Sequence, residues 1–235
     1  MPVTIAFDVY GTLIDTNGVE LALGEKIGTD AAAFSRLWRA KQLEYAFRRG
    51  LMQSYVDFDQ CTRQALDYCC AALGTDLSMD DRQALMDSYR VLPAFADVPD
   101  GLAAGHQRGH RLYAFSNGRR DAVEGLLRHA RIDGYFRAVV SVDDVKSYKP
   151  DPAVYRHFLQ RSGALEGAAW LVSSNPFDVI GALSAGMHAA WVRRSANAVF
   201  DPWELQPTAI ISGLSELAGI LPDGDPGADT GNAGR

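Results

Sequence analysis

The chain of 235 residues holds only three cysteines, Cys61, Cys69 and Cys70, whose spacing supplies neither an even disulfide framework nor a C-x-x-C metal pair. They are expected to pack as small apolar side chains on a helix face. No apolar run approaches the ~20 residues needed to cross a bilayer, and Met1-Pro2-Val3-Thr4 lacks the basic and apolar regions of a leader, so a cytoplasmic protein without membrane partners is expected. No basic tract is present. With 23 Lys and Arg against 29 Asp and Glu, the formal charge of -6 gives no general attraction to nucleic acid or anionic lipid. Histidines are few, and beyond the i, i+4 pair His106/His110, expected on an exposed helix, they show no metal-ligand spacing. Internal repeats are absent.

What remains is an ordinary folded composition, 47% hydrophobic and 22% charged, in a chain long enough for one main domain with an insertion. Val3 to Phe7 is a short, apolar, β-branched run that stops at Asp8 and is followed by Gly11-Thr12, which reads as a buried strand carrying a carboxylate to its C-terminal end. Further buried strands are expected at Arg111 to Phe115, Ala138 to Val142, Trp170 to Val172, Ala189 to Val192 and Ala209 to Ile211. Helical patterns at about 100–108, 119–131, 152–163 and 178–186 lie between them, which is the alternation of a parallel sheet covered on both faces.

Residues 16–92 break that alternation with 3.6-residue periods such as Phe34/Leu37/Trp38 and Phe58/Cys61/Ala65/Leu66/Cys69. The expected fold class is therefore α/β, a Rossmann-like core of residues 1–15 and 93–221 with an all-helical cap inserted after the first strand. Pro93 and Pro99 stiffen the return. From 222 to 235 the chain has almost nothing to bury and is expected to be disordered.

Ligands of such sheets bind outside the carboxyl ends of the strands, where Asp8-x-Tyr10, Ser116-Asn117-Gly118 and Ser173-Ser174-Asn175 all fall. A buried carboxylate is an effective nucleophile once aimed and stripped of water, but it needs a cation to stay ionised. Lys149, before Pro150 on a loop, is the candidate. The motifs Phe7-Asp8-Val9-Tyr10-Gly11-Thr12-Leu13, Ser116-Asn117-Gly118, Lys149-Pro150-Asp151 and Ser173-Ser174-Asn175-Pro176-Phe177-Asp178 resemble, in order, those of the haloacid dehalogenase superfamily. Together with Trp38-Arg39-Ala40-Lys41-Gln42-Leu43-Glu44-Tyr45, they resemble its L-2-haloacid dehalogenase branch over roughly residues 3–218.

The resemblance implies hydrolysis of (S)-2-haloalkanoic acids to (R)-2-hydroxy acids and halide through an ester on Asp8, with haloacetates as further substrates. It implies Arg39 and Asn117 as halide donors, with Ser116 and backbone N–H groups near Tyr10 and Gly11 on the substrate carboxylate. Asp178, helped by Asn175 and Ser173, would activate water; Thr12 and Tyr155 would orient Asp8 and Lys149. Tyr10, Leu43, Phe58 and Phe177 would line the pocket. Ala40, where glutamine is common, and Phe177, where tryptophan is common, depart from the pattern.

The alternative is a Mg-dependent phosphatase of the same superfamily. Those enzymes resemble one another in an aspartate two residues after the nucleophile, acting as general acid, and in an acidic pair that helps hold the metal. Here the first position is Tyr10 and the last motif has one carboxylate, Asp178, so no metal or other cofactor is expected. A halide needs no proton to leave. The apolar cap face adds the expectation of a homodimer.

Overall fold

The computed structural model describes residues 2–222. The first strand, β1 (Thr4–Asp8), is buried along its whole length, as its unbroken apolar run requires. Four helices follow between residues 17 and 88: α1 (Asn17–Ile27), α2 (Ala31–Leu51), α3 (Phe58–Leu73) and α4 (Met79–Ser88). Next come α5 (Val98–Gln107), β2 (Arg111–Ser116), α6 (Arg120–His129), β3 (Ala138–Ser141), α7 (Pro152–Ser162), β4 (Ala169–Ser173), α8 (Pro176–Ser184), β5 (His188–Val192), β6 (Ala209–Ile211) and the short α9 (Leu217–Ile220).

All six strands pair in parallel in the order β3-β2-β1-β4-β5-β6. The chain winds outward from β1 on one side and then crosses to β4 on its other side. That reversal makes the carboxyl ends of β1 and β4 the switch point where a doubly wound sheet opens a crevice. Asp8 ends β1, Ser116 ends β2 and Ser173 ends β4, so the three polar clusters meet there.

Helix boundaries differ slightly from the periodicity. The last expected helix begins two residues earlier because Pro176, whose fixed φ suits a first helical turn, opens α8. Asp151 caps α7 by accepting from Ala153 N–H at 2.8 Å, with Pro152 behind it. In α3 the buried stripe is Phe58, Cys61, Thr62, Ala65, Leu66, Cys69 and Cys70; all three cysteines are free and buried. Asp57 caps that helix by accepting from Gln60 N–H at 2.8 Å, and Gly74, at φ 64°, ends it.

The helical segment leaves and rejoins the sheet through two crossing segments joined by an antiparallel bridge between Ile14 and Ala94. Asp15 N–H donates to Pro93 O at 2.8 Å and Phe95 N–H to Leu13 O at 3.0 Å. Arg194 braces this crossing, donating to Thr12 O at 2.6 Å and to Asp97 Oδ1 at 2.7 Å. One expectation fails: His110 is buried ahead of β2 and accepts from Val3 N–H at 3.3 Å through Nδ1, so it does not share an exposed helix face with His106. Among the described residues no helix is long and apolar enough to cross a membrane. The tail expected to be disordered lies, beyond Pro222, outside the described residues.

Gly181 of α8 lets the Tyr155 ring of α7 approach closely: an added Cβ would stand 2.6 Å from Tyr155 Cζ. Gly181→Ala should therefore destabilise the protein by about 1–3 kcal/mol, the usual range for overpacking. A urea midpoint unchanged from the parent protein would show that α7 and α8 can separate without loss.

Candidate active site

Asp8 is 7% exposed and surrounded by donors. Its Oδ2 accepts from Thr12 Oγ1 at 2.7 Å and from Asn175 Nδ2 at 2.8 Å, while Oδ1 accepts from Lys149 Nζ at 3.1 Å. The protein thus occupies both lone-pair sites of Oδ2 and one of Oδ1. Thr12 reaches back because residues 9–14 form a tight turn, in which Leu13 and Ile14 N–H both donate to Val9 O, at 3.0 and 2.9 Å. Gly11 sits in that turn at φ 82°, a conformation that side chains rarely adopt.

Lys149 is 1% exposed, and all three of its ammonium protons are used. It donates to Asp8, to Asp178 Oδ2 at 2.8 Å and to Phe115 O, at the end of β2, at 2.9 Å. Burial pulls its pKa down, but the charges of Asp178 and Asp8 outweigh that, and the ammonium stands above its ordinary value. Asp178 is fully buried, and burial raises its pKa against the opposing pull of Lys149. Its Oδ1 accepts from Tyr155 Oη at 2.8 Å. The Tyr155 hydroxyl therefore holds Asp178, where the resemblance had implied Lys149.

Asn117 and Ser116 sit on the turn after β2. Asn117 Oδ1 accepts from Lys149 N–H at 3.1 Å, which turns its Nδ2 donors outward. Ser116 Oγ accepts from Gly118 N–H at 3.0 Å and keeps its own proton to donate. Ser141 Oγ braces the turn by donating to Gly118 O at 2.7 Å. Gly11 N–H, expected to face a substrate carboxylate, instead donates to Ile14 O at 2.9 Å, because the turn closes on itself. Asn175 lies directly on Asp8, while Ser173 Oγ accepts Asn175 N–H at 3.1 Å.

Helix α2 brings Arg39 and Leu43 to the opposite side, one helical turn apart and both half-buried. Arg39 lies within electrostatic reach of Tyr89, Asp8 and Tyr10; burial nevertheless sets its pKa below the ordinary value. It donates to Gln42 Oε1 at 2.6 Å. Tyr10 packs against Phe58 and Tyr89, with ring centroids 6.3 and 6.4 Å apart, and Phe177 meets Phe47 edge-on at 5.1 Å. A cavity of about 20 Å³ beside Tyr10 is lined by Phe58, Thr62, Met86 and Tyr89 among others. Ala40 is exposed on α2, so the departure noted there does not remove a buried side chain.

Sequence reasoning missed Ser174, Gln42 and Phe47. Ser174 N–H donates to Thr12 Oγ1 at 2.8 Å, and its hydroxyl donates to Gly11 O at 2.8 Å, which locks the turn after β1 to the end of β4. It stood in a motif already quoted. Gln42 likewise stood in the quoted cap segment without a role, and Phe47 looked like an ordinary position of an amphipathic helix.

A divalent cation does not fit these residues. The Lys149 ammonium already pairs with both Asp8 and Asp178, and both Asp178 oxygens accept from protein donors. Among the described residues no group of three or more His, Cys, Asp or Glu side chains could hold a metal ion.

The chain matches the family model described as haloacid dehalogenase-like hydrolase over residues 3–186. It is 39% identical over 220 residues to the (S)-2-haloacid dehalogenase of Pseudomonas sp. strain YL, covering 91% of this chain and 94% of that protein. It is 37% identical over 217 residues to haloacetate dehalogenase H-2 of Moraxella sp. strain B, covering 92% and 96%. Among solved structures, L-2-haloacid dehalogenase from Xanthobacter autotrophicus with chloropropionic acid covalently bound superposes with a TM-score of 0.85 at 28% identity, covering 94% of this chain and 98% of that one.

Removing the central cation gives a sharp test of the electrostatics. Lys149→Met leaves two buried carboxylates unpaired and should cost about 3–5 kcal/mol of stability. Loss of Lys149 removes the charge that opposes burial at Asp178, so that carboxyl is raised further in the folded state; the folded variant then binds more protons than the unfolded one and regains stability as pH falls from neutral towards the ordinary carboxylate range. Thermal unfolding across that range checks the sign; a deficit independent of pH would contradict it.

Proposed function

Because the chain belongs to the haloacid dehalogenase-like hydrolases, and its relatives include (S)-2-haloacid and haloacetate dehalogenases, we propose that it hydrolyses (S)-2-haloalkanoic acids, haloacetates among them, to 2-hydroxy acids and halide. The observation that carries this reading is the environment of Asp8. A strand-end carboxylate is held by Thr12 and Asn175 and paired with the Lys149 ammonium, while the second residue after it is a tyrosine and not an acid.

In the first step the open lone pair of Asp8 Oδ1 attacks C2 from the side opposite the halogen. The C–halogen bond breaks with inversion, and the halide leaves with the bonding pair towards Arg39 and the outward Nδ2 of Asn117. Ser116 and the N–H of Tyr10 hold the substrate carboxylate; Tyr10, Leu43, Phe58 and Phe177 wall the alkyl side. In the second step water attacks Cγ of the Asp8 ester. Its proton passes to Asp178, whose raised pKa suits a base. Asn175 and Ser173 position that water. The acyl–oxygen bond then breaks and the departing alkoxide takes the proton back from Asp178, so the hydroxy acid leaves with an original Asp8 oxygen and solvent oxygen stays in the side chain.

The phosphatase alternative lacks its general acid at Tyr10 and its cation site beside Lys149. In this reading residues 1–15 and 93–221 form the catalytic core, and 16–92 form the cap that excludes water. Exposed Leu21, Leu51 and Leu73 on the cap helices support a homodimer assembled through them, and three free buried thiols suit a reducing cytoplasm.

Enzyme in EDTA should release halide from (S)-2-chloropropanoate and yield the (R)-hydroxy acid, and Asp8→Asn should abolish turnover. After a single turnover in ¹⁸O water, mass spectrometry should find the label in the Asp8 side chain. Retained configuration, or no label there, would sink the mechanism.

A further inference from the structure

Arg39 has an unusual setting for a half-buried cation. Among the described residues no carboxylate pairs with it at ion-pair distance, and it is held instead by a neutral acceptor, Gln42 Oε1, at 2.6 Å. Gln42 is 1% exposed and lies three residues further along α2. Its amide cannot flip freely. The hydroxyl of Thr62, on α3, donates to Phe58 O at 2.8 Å and so has only a lone pair to offer Gln42, which donates to it through Nε2 at 2.5 Å. With Nε2 committed to Thr62, Oε1 must face the guanidinium. Thr62 is itself fastened to α2 a second time, because its carbonyl accepts from Trp38 Nε1 at 2.8 Å.

We propose that Gln42, oriented by Thr62, is a positioning residue that fixes Arg39 as the halide receptor while leaving its charge unneutralised. The electrostatics favour a glutamine at this place. An acidic residue would hold the guanidinium equally well but would cancel the positive charge a departing anion needs. An apolar residue would leave the charge and lose the aim. The chain Arg39–Gln42–Thr62–Phe58 also joins the receptor to one wall of the pocket, since Phe58 packs on Tyr10. The inference rests on the reading of Arg39 as a halide donor, and its test must separate the two.

The separating observable is dependence on the leaving group. Chloride leaves with more need of stabilisation than bromide, so loss of an aimed donor slows chloroacetate more than bromoacetate. Gln42→Leu should raise the bromoacetate-to-chloroacetate ratio of kcat about tenfold, the scale of losing one hydrogen bond to a charged group, with KM little changed. Gln42→Glu, which keeps the bond and cancels the charge, should raise it as well. Thr62→Val, nearly isosteric, should move it in the same direction by less, and it serves as the test should Gln42→Leu not fold.

Arg39→Ala is the control. If it leaves the ratio unchanged, the halide role of Arg39 fails, and this proposal with it. If Arg39→Ala shifts the ratio while folded Gln42 and Thr62 variants slow both substrates equally or not at all, only the positioning role is overturned. A rise in all four variants, ordered with Arg39→Ala largest and Thr62→Val smallest, supports it.

Discussion

The ammonium of Lys149 is the interaction on which the rest of the site depends. Two carboxylates from different elements, Asp8 at the end of β1 and Asp178 in the first turn of α8, are both buried and would repel each other without a cation between them. The third ammonium proton goes to Phe115 O on β2. One side chain thus bonds to β1, β2 and α8, and no fourth donor is left over to seek water. The neighbouring Phe115 ring, 4.2 Å from Nζ, adds its π face to the same cation. A buried charge is tolerable only when fully bonded, and this one is.

Directional hydrogen bonding does the remaining positioning, by the same device on both sides of the pocket. A backbone N–H can only donate, so Lys149 N–H fixes the carbonyl end of Asn117 and leaves its amide protons outward. On the facing side, Thr62 fixes the amide end of Gln42 and leaves its carbonyl for Arg39. Ser174 does the equivalent for Thr12, giving a backbone proton to its oxygen so that the threonine proton is directed to Asp8. In each of these three cases the partner fixes which end of the side chain is turned towards it and which is left over.

How much of this the sequence disclosed follows from whether a residue's role is local. Strand ends were legible, because a parallel strand buried on both faces is an unbroken apolar run and the polar residue that stops it marks the crevice; Asp8, Ser116 and Ser173 were found that way. Lys149 was legible through a chemical need, since a buried carboxylate requires a cation. Tyr155 was placed at the site but with the wrong partner, because which of two groups a hydroxyl reaches depends on how α7 crosses α8. His110 was misplaced because i, i+4 spacing suggests a common helix face only if the helix continues, and α5 ends at Gln107. Gln42 stood in the quoted cap segment but gained no role there, because its contact is with Thr62, twenty residues away.

Charge explains why this arrangement suits a haloacid better than a phosphate ester. Asp8 and Asp178 contribute two negative charges, Lys149 and Arg39 two positive, so the formal sum at the reacting centre is zero before substrate enters. A haloacid brings one negative charge, which in the proposed mechanism Ser116 meets through a hydrogen bond, and the charge that develops during displacement moves to the halogen, on the side proposed to face Arg39. A phosphoryl dianion would bring two charges to a site with no third cation, directly beside the Asp8 carboxylate. The burial that keeps the Asp178 pKa high would then be compounded by repulsion. The formal balance of these four charges, with only Lys149 paired directly to the carboxylates, leaves room for a monoanion and for an anionic leaving group on the side where, among the described residues, Arg39 has no carboxylate at ion-pair distance.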